Sequence, residues 1–216
     1  MLSKRLIELS LVGAEWVLWL LVILSVFALA AVLDRVILFF RTRERIGELE
    51  PRLMAALNKG DLKAALAEVQ RDSFVCNVLR AGLEQVSAGK RDPGAVEQAM
   101  LGAMARERAR YEARLTPLGT IGNNAPFIGL FGTVLGIVQA FHQLGKLGAT
   151  QAANQMIMGT IGEALVATGM GIMVAIPAVA AFNWAKASIA SRLKYAESLM
   201  RALLSGLGSI ECKSLD

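Results

Sequence analysis

Three long stretches without charged residues constrain this chain more than any other feature. They cover Trp16 to Leu33, residues 115–141 and residues 164–185. A helix needs about 20 mainly apolar residues to cross the hydrocarbon core of a bilayer, and each stretch is close to or above that length. The chain is 55% hydrophobic and only 19% charged, which is too apolar for an ordinary soluble domain. We therefore predict an all-α membrane protein with three transmembrane helices.

The first stretch has an alternative interpretation as a cleaved secretory signal peptide. Lys4 and Arg5 precede it, and several alanines near residue 30 resemble a cleavage region. The apolar stretch is longer than the core of a typical signal peptide, about 7 to 15 residues. It also ends in Asp34 and Arg35, followed by a basic cluster. These features favour a helix that is retained in the membrane.

The positions of the basic residues predict the orientation of the three helices. Of 23 Lys and Arg residues, 15 lie between Arg35 and Arg114 and five between Lys186 and Lys213. Loops rich in Lys and Arg stay in the cytoplasm. The N-terminus is therefore predicted to be periplasmic and the C-terminus cytoplasmic, with long cytoplasmic helical extensions. The net charge of +5 follows from these loops and does not require nucleic acid as a partner.

This topology divides the chain into six predicted segments. They are an N-terminal segment with transmembrane helix 1 (1–40), a cytoplasmic helical domain (41–114), transmembrane helix 2 (115–141), a short periplasmic connection (142–162), transmembrane helix 3 (163–185) and a cytoplasmic C-terminal helix (186–216).

The cytoplasmic segment has the pattern of several short helices followed by a longer one. Residues 51–57 predict a helix, and residues 58–61 predict a turn that ends in an N-cap. Asp92 is a second predicted N-cap, with Pro93 at the first helical position. The pattern allows the helix that begins at Pro93 to continue through Arg114 into the second span.

The second span carries a stripe of small residues that includes the GxxxG pair Gly132 and Gly136. Small side chains let helices approach closely in a membrane, so Gly129, Gly132, Gly136 and, in the third span, Gly171 are predicted packing positions. Thr133 lies on the same stripe, where its hydroxyl would face a partner or a polar lumen. The alternative is a hydrogen bond from this hydroxyl to a carbonyl of its own helix, one turn earlier.

Glu163 is the only charged residue between Lys146 and Lys186. An ionised group inside a bilayer is costly unless it is paired, protonated or hydrated, and such residues usually have a function. The alternative is that the span begins at Ala164 and that Glu163 caps the helix N-terminus at the membrane surface. Thr168 lies about 140° around the helix from Glu163, so the two side chains border a shared site only if it is a wide lumen.

Other polar residues give weaker signals. Asn123 and Asn124 begin the second span from the cytoplasmic side and would suit interhelical hydrogen bonds or a hydrated vestibule. The cysteines Cys76 and Cys212 both fall on the predicted cytoplasmic side, where thiols stay reduced. With one histidine, His142, and no metal-binding motif, the chain offers no metal or cofactor site.

The motifs of the second and third spans resemble the ExbB/TolQ/MotA proton-channel family, and most closely its ExbB and TolQ branch. The resemblance rests on the sequences APFIGLFGTV with Gly136 and Ile137, on EAL followed by Ala167 and Thr168, and on AIPA; these occupy residues 125–137, 163–168 and 175–178. Three spans, an external N-terminus and a large cytoplasmic segment after the first helix agree with it. The resemblance therefore covers nearly the whole chain.

The resemblance implies a fivefold ring of subunits in the bacterial inner membrane, with the second and third helices lining a central pore. The pore would hold helices of an ExbD/TolR-like single-span partner, which supplies a membrane-embedded aspartate as proton carrier. Thr133, Glu163 and Thr168 fall on the family's polar pore positions. Asn123 and Asn124 stand where some relatives are expected to carry small hydroxyl residues.

The implied function is the conversion of proton flow into mechanical work for an effector. The effector would be a TonB-like transporter energiser, a TolA-like envelope system or a gliding motor. A scaffold that assembles partners without conducting ions is the main alternative, and it gains nothing from Glu163 within a span. A substrate transporter or an enzyme is disfavoured, because the chain has no inverted repeat and no pairing of a nucleophile with a base.

Overall fold

The structure is a computed structural model that describes residues 15–42, 46–90, 92–113, 115–147 and 151–213. These residues form seven α-helices and no strand, which confirms the predicted all-α class. Three of the helices are long and apolar enough to cross a membrane, as predicted. In chain order the helices are α1 (Glu15–Arg41), α2 (Ile46–Asn58), α3 (Leu62–Glu68), α4 (Phe74–Ser87), α5 (Pro93–Glu112), α6 (Leu115–Leu147) and α7 (Gln151–Lys213).

The first of two compact units contains the apolar parts of α1, α6 and α7, within residues 1–35 and 114–184. Its core is built from small and branched side chains contributed by all three helices. Most large apolar side chains of these helices point outward instead, as expected for helices that contact lipid or other helices. The buried core residues are Val17, Leu21, Ala28, Leu118, Ile121, Ala125, Leu135, Val174, Ala175 and Ala178.

The second unit, within residues 36–113 and 185–216, contains α2 to α5 and the remaining parts of α1 and α7. Here the apolar residues are buried at helical spacing and polar residues lie outside, which is the pattern of a helical domain in water. Five apolar residues at helical spacing along α4 are all at most 4% exposed: Val75, Val78, Leu79, Leu83 and Val86.

The two predicted helix caps are present. Asp61 accepts a hydrogen bond from the amide of Ala64 at 3.0 Å, and Asp92 accepts one from the amide of Ala95 at 2.9 Å. Gly60 supplies the turn before the first cap with a φ of +71°, a conformation that costs glycine little. Local sequence therefore determines where α3 and α5 begin.

The continuous helix from Pro93 into the second span does not occur. Helix α5 ends at Glu112, Ala113 adopts an extended ψ of 138°, and α6 begins at Leu115. The physical reason lies in Pro117, whose ring would clash with the carbonyl four residues earlier, that of Ala113, in an unbroken helix. With the break at Ala113, Pro117 falls in the first turn of α6, where proline is tolerated.

The helices also extend beyond the limits expected from the sequence. The predicted helix at residues 51–57 covers Ile46–Asn58 and contains Pro51. The predicted connection at residues 142–162 is helical up to Leu147 and again from Gln151. Only residues 148–150 of this connection lie outside the described part of the chain.

Candidate functional site

Helices α6 and α7 approach each other through glycines. A Cβ atom added to Gly129 would lie 2.6 Å from the carbonyl oxygen of Ala167, and one added to Gly171 would lie 2.6 Å from that of Ala125. Such an atom on Gly132 would lie 2.9 Å from Cβ of Ala167. Backbones at this distance leave no room for larger side chains. The crossing therefore fixes the depth and orientation of the polar residues on both helices.

The same contacts continue to Gly136, which packs against Ala164. Helix α1 joins the crossing at Gly132, where a Cβ would lie 3.1 Å from Cγ1 of Val17. The four glycines predicted as packing positions are all buried. They occupy one continuous helix contact and are not scattered along the spans.

Glu163 is exposed on the surface of this unit. It lies twelve residues after the start of α7 at Gln151, about 18 Å along the helix axis. Its neighbour Ala164 contacts Gly136, which precedes Lys146 by ten residues or about 15 Å. The carboxylate therefore lies well inside α7, at the level of Gly136 in the apolar stretch of α6.

This placement rules out the alternative that Glu163 caps a helix N-terminus. The cap explanation required the third helix to begin near Ala164, but α7 begins at Gln151. Glu163 therefore has no access to the unsatisfied amides of a first helical turn. Its negative charge needs another explanation.

The two predicted pore threonines have their hydroxyls inside the subunit. Thr133 is 8% exposed and donates a hydrogen bond of 2.6 Å to the carbonyl of Leu130, in its own helix. The hydroxyl of Thr168 is buried without a hydrogen-bond partner. Cα of Thr168 lies close to Gly129, at the centre of the helix crossing. Within one chain, these hydroxyls and the Glu163 carboxylate do not share an exposed face.

Asn123 and Asn124 are exposed in the N-terminal part of α6. Asn124 donates a hydrogen bond of 2.8 Å to the carbonyl of Thr120, and Thr120 donates one of 2.9 Å to the carbonyl of Thr116. Together with Asn123, these side chains give the first turns of α6 a polar exposed surface. The surface becomes apolar one turn further on, at Phe127.

Sequence reasoning missed a polar contact between the C-terminal part of α6 and the N-terminal part of α7. The Thr160 hydroxyl lies 3.3 Å from the amide oxygen of Gln143, and 3.0 Å from the carbonyl of Met156. The two residues are 17 positions apart in the sequence, and no motif there links them. Among the described residues, no group of three or more His, Cys, Asp or Glu side chains could hold a metal ion.

Comparison with known proteins gives one consistent result. Residues 70–198 match the MotA/TolQ/ExbB proton channel family. The Tol-Pal system protein TolQ of Pseudomonas aeruginosa is 32% identical over 188 residues, which cover 83% of this chain and 76% of TolQ.

Shorter matches are closer in sequence. The biopolymer transport protein ExbB of Xanthomonas campestris is 47% identical over 90 residues, 41% of this chain and 34% of that protein. The TolQ protein of Haemophilus influenzae is 50% identical over 86 residues, 40% of this chain and 37% of that protein. With a family match over more than half of its length and a TolQ relative covered over three quarters, this chain belongs to the MotA/TolQ/ExbB proton channel family.

Proposed function

We propose that this protein is the proton-channel subunit of an energy-transducing complex in the bacterial inner membrane, which converts the proton motive force into mechanical work. The observation that carries the proposal is the exposed carboxylate of Glu163, about 18 Å along α7 from its start and level with the apolar stretch of α6. A charge facing hydrocarbon at this depth would be costly. A hydrated lumen or a partner helix removes that cost.

Assembly with further chains follows from the same argument. The proposed complex is a homo-oligomer, most simply a pentamer, whose α6 and α7 surround a lumen that contains Glu163. The chain lacks a second carboxylate in its apolar stretches, so an ExbD/TolR-like single-span protein would supply the aspartate that carries the proton. A TonB-like, TolA-like or gliding-machinery protein would receive the work, and lipid would contact the outward apolar side chains.

The proposed orientation has the N-terminus in the periplasm and the C-terminus in the cytoplasm, as the distribution of Lys and Arg predicts. In this orientation Glu163 lies in the periplasmic half of the lumen, and Asn123 and Asn124 form its cytoplasmic vestibule. Thr133 and Thr168 would join the pathway by releasing their hydroxyls toward the lumen as the helices shift.

The energy available suits such a cycle. One charge that crosses the membrane releases about 2.3 kcal/mol per 100 mV of membrane potential. That amount is comparable to the differences between alternative packings of helices, so a few protons suffice to drive a step. The glycine crossing of α6 and α7 offers a surface on which small shifts need little rearrangement of side chains.

The test replaces Glu163 in the complete complex. Proteoliposomes that contain this chain and its single-span partner are energised with a potassium gradient, and proton uptake is followed with a pH-sensitive dye. We expect Glu163→Ala and Thr133→Ala to abolish uptake while the amount of assembled complex is unchanged. Glu197→Gln, which alters a carboxylate of α7 outside the apolar stretch, is the matched control.

Full uptake in both variants would overturn the proposed function. The non-conducting scaffold would be favoured if the unmodified complex shows no measurable proton uptake and Glu163→Gln behaves like the unmodified complex.

A further inference from the structure

An arginine in the second compact unit lies against aromatic rings from two other helices. Cζ of Arg192, in α7, lies 4.8 Å from the ring centroid of Phe39 in α1 and 5.0 Å from that of Tyr111 in α5. Phe39 and Tyr111 also meet each other edge to face, with centroids 5.6 Å apart. We call Arg192, Phe39, Thr42 and Tyr111 the arginine junction.

The junction is buried at its centre. Phe39 is 4% exposed and Tyr111 is fully buried. The Tyr111 ring packs in turn against Phe74, the first residue of α4, at 5.6 Å. Three helices therefore meet at the guanidinium group, and α4 adjoins them through Tyr111. A charge in such a place is retained only where its contacts are good.

The guanidinium also binds the last turn of α1. One terminal nitrogen donates to the Thr42 hydroxyl at 3.0 Å, and the other donates to the Phe39 carbonyl at 3.4 Å. The Thr42 hydroxyl donates in turn to the Leu38 carbonyl at 2.7 Å. Carbonyls in the last turn of a helix have no partner within it and carry partial negative charge, so a cation is favoured there.

These contacts require arginine in particular. A planar guanidinium can lie against two rings and donate hydrogen bonds in two directions at its edge, whereas the lysine ammonium is a compact, strongly hydrated charge. Two other cations of the same helix, Lys194 and Arg201, are exposed. Arg192 is therefore built into the fold in a way that these neighbours are not.

We propose that Arg192 is a positioning residue for proton transport, holding α1, α5 and α7 together on the cytoplasmic side. Helices α1 and α7 each contain a candidate span, and α5 directly precedes α6, which contains the remaining one. A side chain that contacts all three helices holds them at a fixed separation next to the candidate spans. The inference rests on the proposed function and adds a residue outside the apolar stretches to it.

The test uses the same proteoliposomes and measures proton uptake per assembled complex. We expect Arg192→Met to reduce uptake by about fivefold or more, because the methionine has a similar length but neither the charge nor the donors. Arg192→Lys, which keeps only the charge, should recover part of that loss. Arg201→Met, an exposed arginine of the same helix, should behave like the unmodified protein.

A milder variant covers the case in which Arg192→Met does not assemble. Thr42→Val removes one of the two hydrogen bonds and leaves both rings in place, so uptake per complex should fall by about twofold. Equal uptake per assembled complex in Arg192→Met and Arg201→Met, or in Thr42→Val and the unmodified protein, would overturn the inference. A variant that changes only the amount of complex would assign Arg192 a purely structural role and would also overturn it.

Including Glu163→Ala in the same experiment separates the two proposals. If Glu163→Ala is inactive while Arg192→Met is fully active, only the role of Arg192 fails. If Glu163→Ala and Thr133→Ala are also fully active, the proposed function itself fails.

Discussion

At the scale of single residues, Gly129 shows how little tolerance the α6–α7 crossing has. A methyl group at this position would lie 2.6 Å from the Ala167 carbonyl oxygen and 3.0 Å from Cα of Thr168. Both atoms belong to the backbone, so no change of side-chain rotamer relieves the clash. The two helices would have to move apart along their whole contact.

Gly129→Ala is therefore expected to destabilise the protein by about 1 to 3 kcal/mol, as in other overpacked cores. The thermal unfolding midpoint of the protein in detergent, followed by tryptophan fluorescence, measures this loss. Gly145→Ala is the control in the same helix, because a Cβ there meets nothing within 4 Å. Equal midpoints for the two variants would contradict the observed crossing.

At the scale of helices, an ion pair joins α5 to the segment that precedes α4. Both terminal nitrogens of Arg110, near the end of α5, lie 2.8 Å from the carboxylate oxygens of Asp72, which precedes α4. Asn77 donates a further hydrogen bond of 2.9 Å to the same carboxylate. The hydrogen bonds from Arg110 and Asn77 hold the pKa of Asp72 well below its usual range.

Asp72→Asn should therefore destabilise the protein at pH 7, and this difference should shrink on acidification. A lowered folded-state pKa gives stability above the unfolded-state pKa of about 3.9, and the stability is lost as the pH falls through the folded-state value. We expect less than about 1 kcal/mol, because both side chains are partly exposed to water. Thermal midpoints at pH 7 and pH 3 test this, with Glu84→Gln as an exposed control on α4. A difference that grows at pH 3 would contradict it.

Local sequence predicted the helices best where a single residue type decides the outcome. Asp61 and Asp92 marked the starts of α3 and α5 because each cap is made within four residues of chain. The break at Ala113 was missed because the helical pattern continues through Arg114, whereas the helix ends before it and so avoids the clash of the Pro117 ring with the Ala113 carbonyl. Helix ends set by such competition are hard to predict from pattern alone.

At the scale of the whole molecule, the three spans were predictable because length and absence of charge suffice to identify them. The exposure of Glu163 and the enclosure of Thr133 and Thr168 were not, since they depend on which face of each helix packs. The arginine junction was also invisible in sequence. Its hydrogen bond joins Arg192 to Thr42, 150 residues earlier in the chain, and nothing local to either residue indicates the other.

Orientation in the membrane is the remaining property of the whole molecule, and it can be tested with single cysteines. The chain used has both cysteines replaced by alanine. Gly145→Cys lies at an exposed site near the predicted periplasmic end of α6, and Ser198→Cys lies at an exposed site in the predicted cytoplasmic part of α7. A membrane-impermeant maleimide added to intact spheroplasts should label the first variant only. The second should react only after permeabilisation, because the Lys- and Arg-rich segments stay inside. The reverse pattern would place Glu163 in the cytoplasmic half of the membrane and would reverse the direction of the proposed pathway.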